Sequence, residues 1–155
     1  MQAVNKEAFR HLAAQPQPGC VVCGPDHPHG LRILYEPDGA GSIRANWIAL
    51  PAWEGFRSII HGGILSTILD EAMSKAVIAS GTQALTGELR VRFRHYVASG
   101  ETLQIRGWIV ERTRRLIRTE GTLLGADGAE RAHAWAVFLV LKKEEKSDEN
   151  CSTHK

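Results

Sequence analysis

Along most of the chain, apolar and polar residues alternate with the two-residue period of half-buried strands. One stretch breaks that rhythm. From Ile64 onward the apolar residues Ile64, Leu65, Ile68, Leu69, Ala72, Met73, Ala76 and Val77 recur at helical spacing, with no proline among them. Gly81 follows where a helix C-terminus favours glycine. The pattern predicts one long, mostly buried helix starting near Gly62. The β-branched pair Ile59 and Ile60 leads into it through His61-Gly62-Gly63, and two carboxylates, Asp70 and Glu71, lie in its middle.

The remaining rhythm predicts strands. Residues 31–36 and 41–50 read as a pair joined across Pro37-Asp38-Gly39, a strong turn signal. In the second, Ile43, Ala45, Trp47 and Ala49 share one face and Ser42, Arg44 and Asn46 the other. Residues 51–57 read as a loop whose aromatics cover the core or line a pocket. After the helix come strands over 86–97, 102–111, 116–124 and 131–141, read as a four-strand meander. In the first of these Leu89, Val91 and Phe93 face one way and Glu88, Arg90, Arg92 and Arg94 the other. The class is α+β, an antiparallel sheet packed on one helix. Residues 2–14 suit a short helix, ended by Gln15-Pro-Gln-Pro-Gly19, and the charged tail lacks periodicity and is expected to be disordered. The organisation expected is helix and linker over 1–19, one domain over 20–142 and a polar tail over 143–155.

Composition narrows the function. At 155 residues the chain suits a single domain with its own core. A net charge of +2 is too small to suggest a nucleic-acid partner. No apolar run approaches the roughly 20 residues of a membrane span, and the N-terminus lacks the apolar core of a secretory signal. Three cysteines, one in the tail, do not form a disulfide framework. A soluble protein of a reducing compartment, the cytoplasm, is expected.

Two places carry candidate chemistry. Cys20, Cys23, His27 and His29 fall within ten residues, and the cysteine pair has zinc-ligand spacing. No second Cys-x-x-Cys follows and the histidines sit among Pro and Gly, so the stretch reads as a loop with two small thiols, and no metal is expected at the reaction site. The second place is the start of the long helix. Two glycines leave its first N–H groups, at the positive end of the helix dipole, open to an anion or to a carbonyl oxygen becoming one. Asp70, a carboxylate in an otherwise apolar helix, needs a partner or a purpose. It lies eight residues beyond Gly62, about 12 Å along the axis, so one carbonyl cannot touch both in one helix. A second, antiparallel copy would bring Gly62 of one chain to Asp70 of the other, which makes a site using both groups a two-fold dimer's composite site. Glu71, about 100° around the helix, reads as supporting or structural.

His-Gly-Gly, six residues, then Asp-Glu-Ala (HGGILSTILDEA) resembles the hotdog-fold acyl-CoA thioesterases of the phenylacetate-pathway (PaaI-like) branch, over roughly residues 20–141. The resemblance implies an antiparallel sheet wrapped around the helix, and hydrolysis of a small aryl or short- or medium-chain acyl-CoA by a homodimer or homotetramer. It implies that the Gly62 N–H polarises the thioester carbonyl, with Gly63 beside it. Asp70 of the partner subunit then attacks or activates water. It makes His61 a positional or, less simply, an acid–base residue, and makes Thr86, sixteen residues after Asp70, a hydroxyl that positions the carboxylate or water. CoA is then substrate, and no cofactor is implied. Its phosphates suit arginine, and Arg114 and Arg115, in a cluster with Arg112 and Arg118, are the preferred candidates. Gly55 stands where some relatives carry an Asn that contacts the carbonyl. Two alternatives share the fold: a non-catalytic acyl-CoA binder, and a hydratase or dehydratase, whose pattern places a His where this chain has Lys75.

Overall fold

The structure, a computed structural model, describes residues 17–38 and 42–141. The helix expected over 2–14, the Gly39 end of the turn and the polar tail lie outside these residues. The strand rhythm becomes β1 (Glu36–Pro37) and β2 (Ser42–Ile48), then β3 (Glu54–Phe56) and β4 (Ile59–Ile60), which pair with each other. The helical rhythm becomes α1 (Gly62–Ala79), and β5 (Ala84–Phe93), β6 (Thr102–Arg112), β7 (Leu116–Leu124) and β8 (Glu130–Val140) follow. Six strands form one antiparallel sheet in the order β1-β2-β6-β7-β8-β5.

Local chemistry sets the ends of α1. The His61 ring accepts the Gly63 N–H from an extended N-cap at φ −63°, ψ 130°. At the far end Gly81 takes φ +79°, a left-handed turn that suits glycine. Leu65, Ile68, Leu69, Met73 and Val77 bury themselves against the sheet. Each such side chain contributes roughly 1.5–3 kcal/mol of hydrophobic stabilisation. Gly107 and Gly121 face each other across β6 and β7 beneath the helix. A Cβ at Gly107 would lie 2.7 Å from the Ala72 backbone, so a bare position there is what allows the helix to rest directly on the sheet.

Two expectations about strands are corrected. The four strands after the helix are not a consecutive meander: β6, β7 and β8 are, but β5 pairs with β8 at the far edge. Residues 94–101 are long enough to return the chain across the sheet to β6, which pairs with β2 instead. The strand expected over 31–36 joins the sheet only at Glu36–Pro37. Leu31, Ile33 and Tyr35 are buried in alternation as in a strand, but the partner differs. The Leu31 and Ile33 N–H groups donate to Val21 and Val22 carbonyls, and the Tyr35 hydroxyl donates to the Ile68 carbonyl of α1 at 3.2 Å. Residues 17–35 are therefore a strap over the helix. The loop at 51–57 contains a 3-10 turn and β3. Its Trp53 packs on the core, while Phe56 is exposed.

Candidate active site

Asp70 faces β5. Its Oδ1 accepts a 2.8 Å hydrogen bond from the Thr86 hydroxyl, so the structure brings these two sequence candidates together. Burial pushes the Asp70 carboxyl above its ordinary value of 3.8; the Thr86 hydrogen bond opposes the shift and the neighbouring Glu71 charge reinforces it. The result is a half-buried carboxylate better matched to accepting a proton near neutral pH.

Thr86 reaches this position through a bulge. Phe138, its partner on β8, is buried under the helix, and so are Ala132, Ala134 and Ala136, the partners of Phe93, Val91 and Leu89. Thr86 and Leu89 thus share the helix side of the sheet although three residues separate them. The register shift between Thr86 and Glu88, at Gly87, changes the phase. Strict alternation counted back from Leu89 would have turned Thr86 outward.

At the start of the helix, His61 donates its backbone N–H to the Trp53 carbonyl at 2.9 Å, and its carbonyl accepts the N–H groups of Ile64 and Leu65. Its Nδ1 accepts the Gly63 N–H at 2.8 Å. The imidazole is therefore engaged as a cap, and the Gly63 N–H is engaged with it. Among the described residues the Gly62 N–H has no acceptor, which leaves it as the open donor at the helix start. Phe93 lies over it: a Cβ at Gly62 would meet the Phe93 ring at 3.4 Å. A side chain at Gly55 would meet His61 at 3.1 to 3.3 Å, so glycine there fits the packing around the cap.

Glu71 turns the other way. It pairs with Lys75 at 3.5 Å, both side chains more than four-fifths buried. Its carboxylate also lies beside the thiols of Cys20 and Cys23. Burial and that carboxylate push the Cys23 thiol up to about 12. Sequence reasoning had not linked the cysteine loop to this helix, and His27 and His29 do not join the cluster; the His27 ring accepts the His29 N–H instead.

Arg114 and Arg115 are exposed in the β6–β7 turn. That turn lies toward the C-terminal end of α1, where Arg112 donates to the hydroxyl of Ser80 at 3.4 Å. The strand arginines sit on the outer face or rim: Arg90 lies over the Trp135 ring at 4.8 Å and Arg94 pairs with Glu130.

Residues 58–132 match the family model of the thioesterase superfamily. No curated protein matches significantly. The PaaI protein of the Escherichia coli phenylacetic acid degradation operon aligns with a TM-score of 0.77 at 13% identity, covering 88% of this chain and 96% of that one. A solved thioesterase superfamily protein gives 0.73 at 24% identity over 79% of this chain; the match spans 62% of that protein's length. A hypothetical thioesterase from Streptococcus pneumoniae TIGR4, solved with coenzyme A, gives 0.67 at 18% identity, covering 70% of this chain and 85% of that one. Variants of that protein have been solved with an aspartate and, sixteen positions later, a threonine replaced by alanine. The fold is the hotdog fold: one long helix packed on a six-stranded antiparallel sheet.

Proposed function

We propose that this hotdog-fold chain, a match to the thioesterase superfamily over residues 58–132, is an acyl-CoA thioesterase with two composite sites per homodimer. The observation that carries the reading is the half-buried Asp70 carboxylate held by Thr86 on the β5 side of the helix. The same sixteen-residue Asp–Thr spacing, replaced in variants of the CoA-bound Streptococcus pneumoniae protein, supports it.

The edge strand supports the dimer. β5 is ten residues long and pairs on one edge only among the described residues, and Leu89 and Phe93, on its helix side, remain exposed in the single chain. A long bare edge of this kind calls for a covering partner. Asp70 is tied to Thr86 near one end of β5, and Gly62 lies against Phe93 at the other. Antiparallel pairing of β5 with its own copy puts those two ends side by side. The Gly62 N–H of one protomer then faces Asp70 of the partner subunit, which resolves the separation of about 12 Å within one helix.

In this site the thioester carbonyl accepts the Gly62 N–H, and the positive end of α1 stabilises charge developing on its oxygen. Asp70 of the partner subunit attacks the carbonyl carbon or takes the proton of an attacking water; Thr86 holds the carboxylate in line. The C–S bond breaks. In the base route Asp70 passes the water proton to the departing CoA thiolate and the free acid forms directly. In the nucleophilic route the thiolate is protonated from water and a second water hydrolyses the acyl–Asp70 anhydride to the free acid. His61 acts by capping the helix that presents the donor. Arg114 and Arg115 are the candidates for the CoA phosphates. The substrate class is a small aryl or short- to medium-chain acyl-CoA.

The test is free-thiol release from phenylacetyl-, benzoyl-, short- and medium-chain acyl-CoAs, with Asp70→Asn in parallel. Turnover that collapses in the folded variant supports the enzyme. Binding of acyl-CoA without turnover on any of them would replace it with a non-catalytic binding protein.

A further inference from the structure

The cysteine loop and the inward face of α1 meet in a way the thioesterase reading does not use. Cys20-Val-Val-Cys23-Gly24 is wound into a tight turn. The Gly24 N–H donates to the Cys20 carbonyl at 2.9 Å, and the Cys23 N–H donates to Cys20 Sγ at 3.4 Å. A Cβ at Gly24 would lie 2.5 Å from the carbonyl oxygens of Cys20 and Pro18, so only glycine closes the turn. Val22, between the thiols, is buried in the core and pins the turn against α1. A backbone N–H aimed at a sulfur is the contact that stabilises a metal-bound thiolate, since it disperses charge on that atom.

The third donor comes from the helix. One ligand atom from each of Cys20, Cys23 and Glu71 lies within 4.8 Å of the others. Tetrahedral zinc, with Zn–S near 2.3 Å and Zn–O near 2.0 Å, separates its donors by about 3.5 to 3.8 Å. Side-chain rotations that close the set by roughly 1 Å would suffice. Charge also closes. Two thiolates and a carboxylate against one divalent cation leave a single negative charge, and Lys75, 3.5 Å from Glu71 and 13% exposed, supplies the positive one.

We propose that Cys20, Cys23 and Glu71 form a binding site for one thiophilic divalent cation of the zinc type, with a fourth position open to water. Two thiolates favour such a metal over calcium or magnesium. Binding displaces the two thiol protons and forms two metal–sulfur bonds and one metal–oxygen bond, with no change of oxidation state. The site ties the strap over residues 17–35 to α1 on the side opposite Thr86. It is a clamp, and it stands or falls independently of the thioesterase reading.

The experiment titrates the full-length, reduced, chelator-treated chain with Co2+ under anaerobic conditions, in a Cys151→Ser background that leaves only the two strap thiols. The expected result is one equivalent bound, thiolate-to-cobalt charge transfer in the near ultraviolet and intense ligand-field bands of a tetrahedral site, all erased by one equivalent of Zn2+. Cys23→Ser loses the charge transfer. Glu71→Gln retains it but binds at least about ten-fold more weakly, as loss of a ligand exceeds the roughly 10–100-fold cost of losing a supporting contact. Free thiols that give no such bands at excess Co2+, or a Cys20–Cys23 disulfide formed in preference to metal binding, would overturn the site. Identical affinity in Glu71→Gln would overturn the three-donor assignment. The spectrum of the Cys151→Ser parent decides even if a further variant fails to fold.

Discussion

Asp70 and Glu71 are neighbours on one helix, yet the structure gives them opposite surroundings. Asp70 faces β5, the edge strand among the described residues, where a hydroxyl holds it. Glu71 faces the strap, where Lys75 neutralises it and two thiols crowd it. A turn of about 100° between adjacent helical residues turns one carboxylate toward β5 and locks the other against the strap. Chemical type alone does not separate the two; what covers each side of the helix does.

Replacing each carboxylate is the sharpest way to break this contrast. Asp70→Asn is expected to lower kcat by about 10²–10⁴-fold, measured by thiol release. It also carries a stability signature. The folded carboxyl is held above its unfolded value of 3.8, so its contribution to stability is present below that value and lost as pH rises through the folded pKa. Above that pKa the ionised Asp70 weakens the fold, and Asp70→Asn should melt higher at neutral pH. A lower melting point with unchanged turnover would make Asp70 structural.

Gly62→Pro probes the opposing half of the site. Gly62 is the first helical residue and His61 is already extended before it, so proline is accommodated there while the N–H is removed. The expected loss is about 10²–10³-fold in kcat in a folded protein, the cost of one oxyanion donor. Circular dichroism and kinetics together check it.

Thr86→Val should cost less, about ten-fold in kcat, with a distinctive pH effect. The hydroxyl stabilises the ionised Asp70, so its removal raises the carboxyl further. The acid limb of the kcat/KM profile, expected above 3.8 in the wild type, should move to higher pH. A uniform loss without that displacement would make Thr86 a packing residue. Smallest on turnover is Glu71→Gln. It strands Lys75 and should lower unfolding stability by about 1–3 kcal/mol in denaturant titrations, with a far smaller effect on kcat than Asp70→Asn.

Much of this was legible in the chain. The 3.6-residue rhythm of Ile64 to Val77 and the glycines around it marked α1 within a residue or two, and alternation marked β2 and β6 to β8. Alternation shows which residues share a face but not which strand lies alongside, so the placement of β5 beside β8 was not visible. The same limit hid the strap: Leu31, Ile33 and Tyr35 alternate like a strand because they cover α1. At the candidate site, the helix pattern singled out Gly62 and Asp70 and the family resemblance added Thr86, but the inward turn of Thr86 depends on a bulge at Gly87 that breaks the period. The meeting of Cys20 and Cys23 with Glu71 joins residues about fifty positions apart and is a product of packing alone.

The central claim is that each site takes its donor from one protomer and its carboxylate from the other. Subunit mixing tests it most directly. Gly62→Pro and Asp70→Asn, each nearly inactive alone, are co-expressed with different tags and the mixed dimer is purified. If the sites are composite, one site of the mixed dimer carries both defects and the other carries neither, and about half of the wild-type activity per dimer returns. If each site is built within one chain, every site in the mixed dimer is damaged, and activity no higher than that of the two parents would contradict the account.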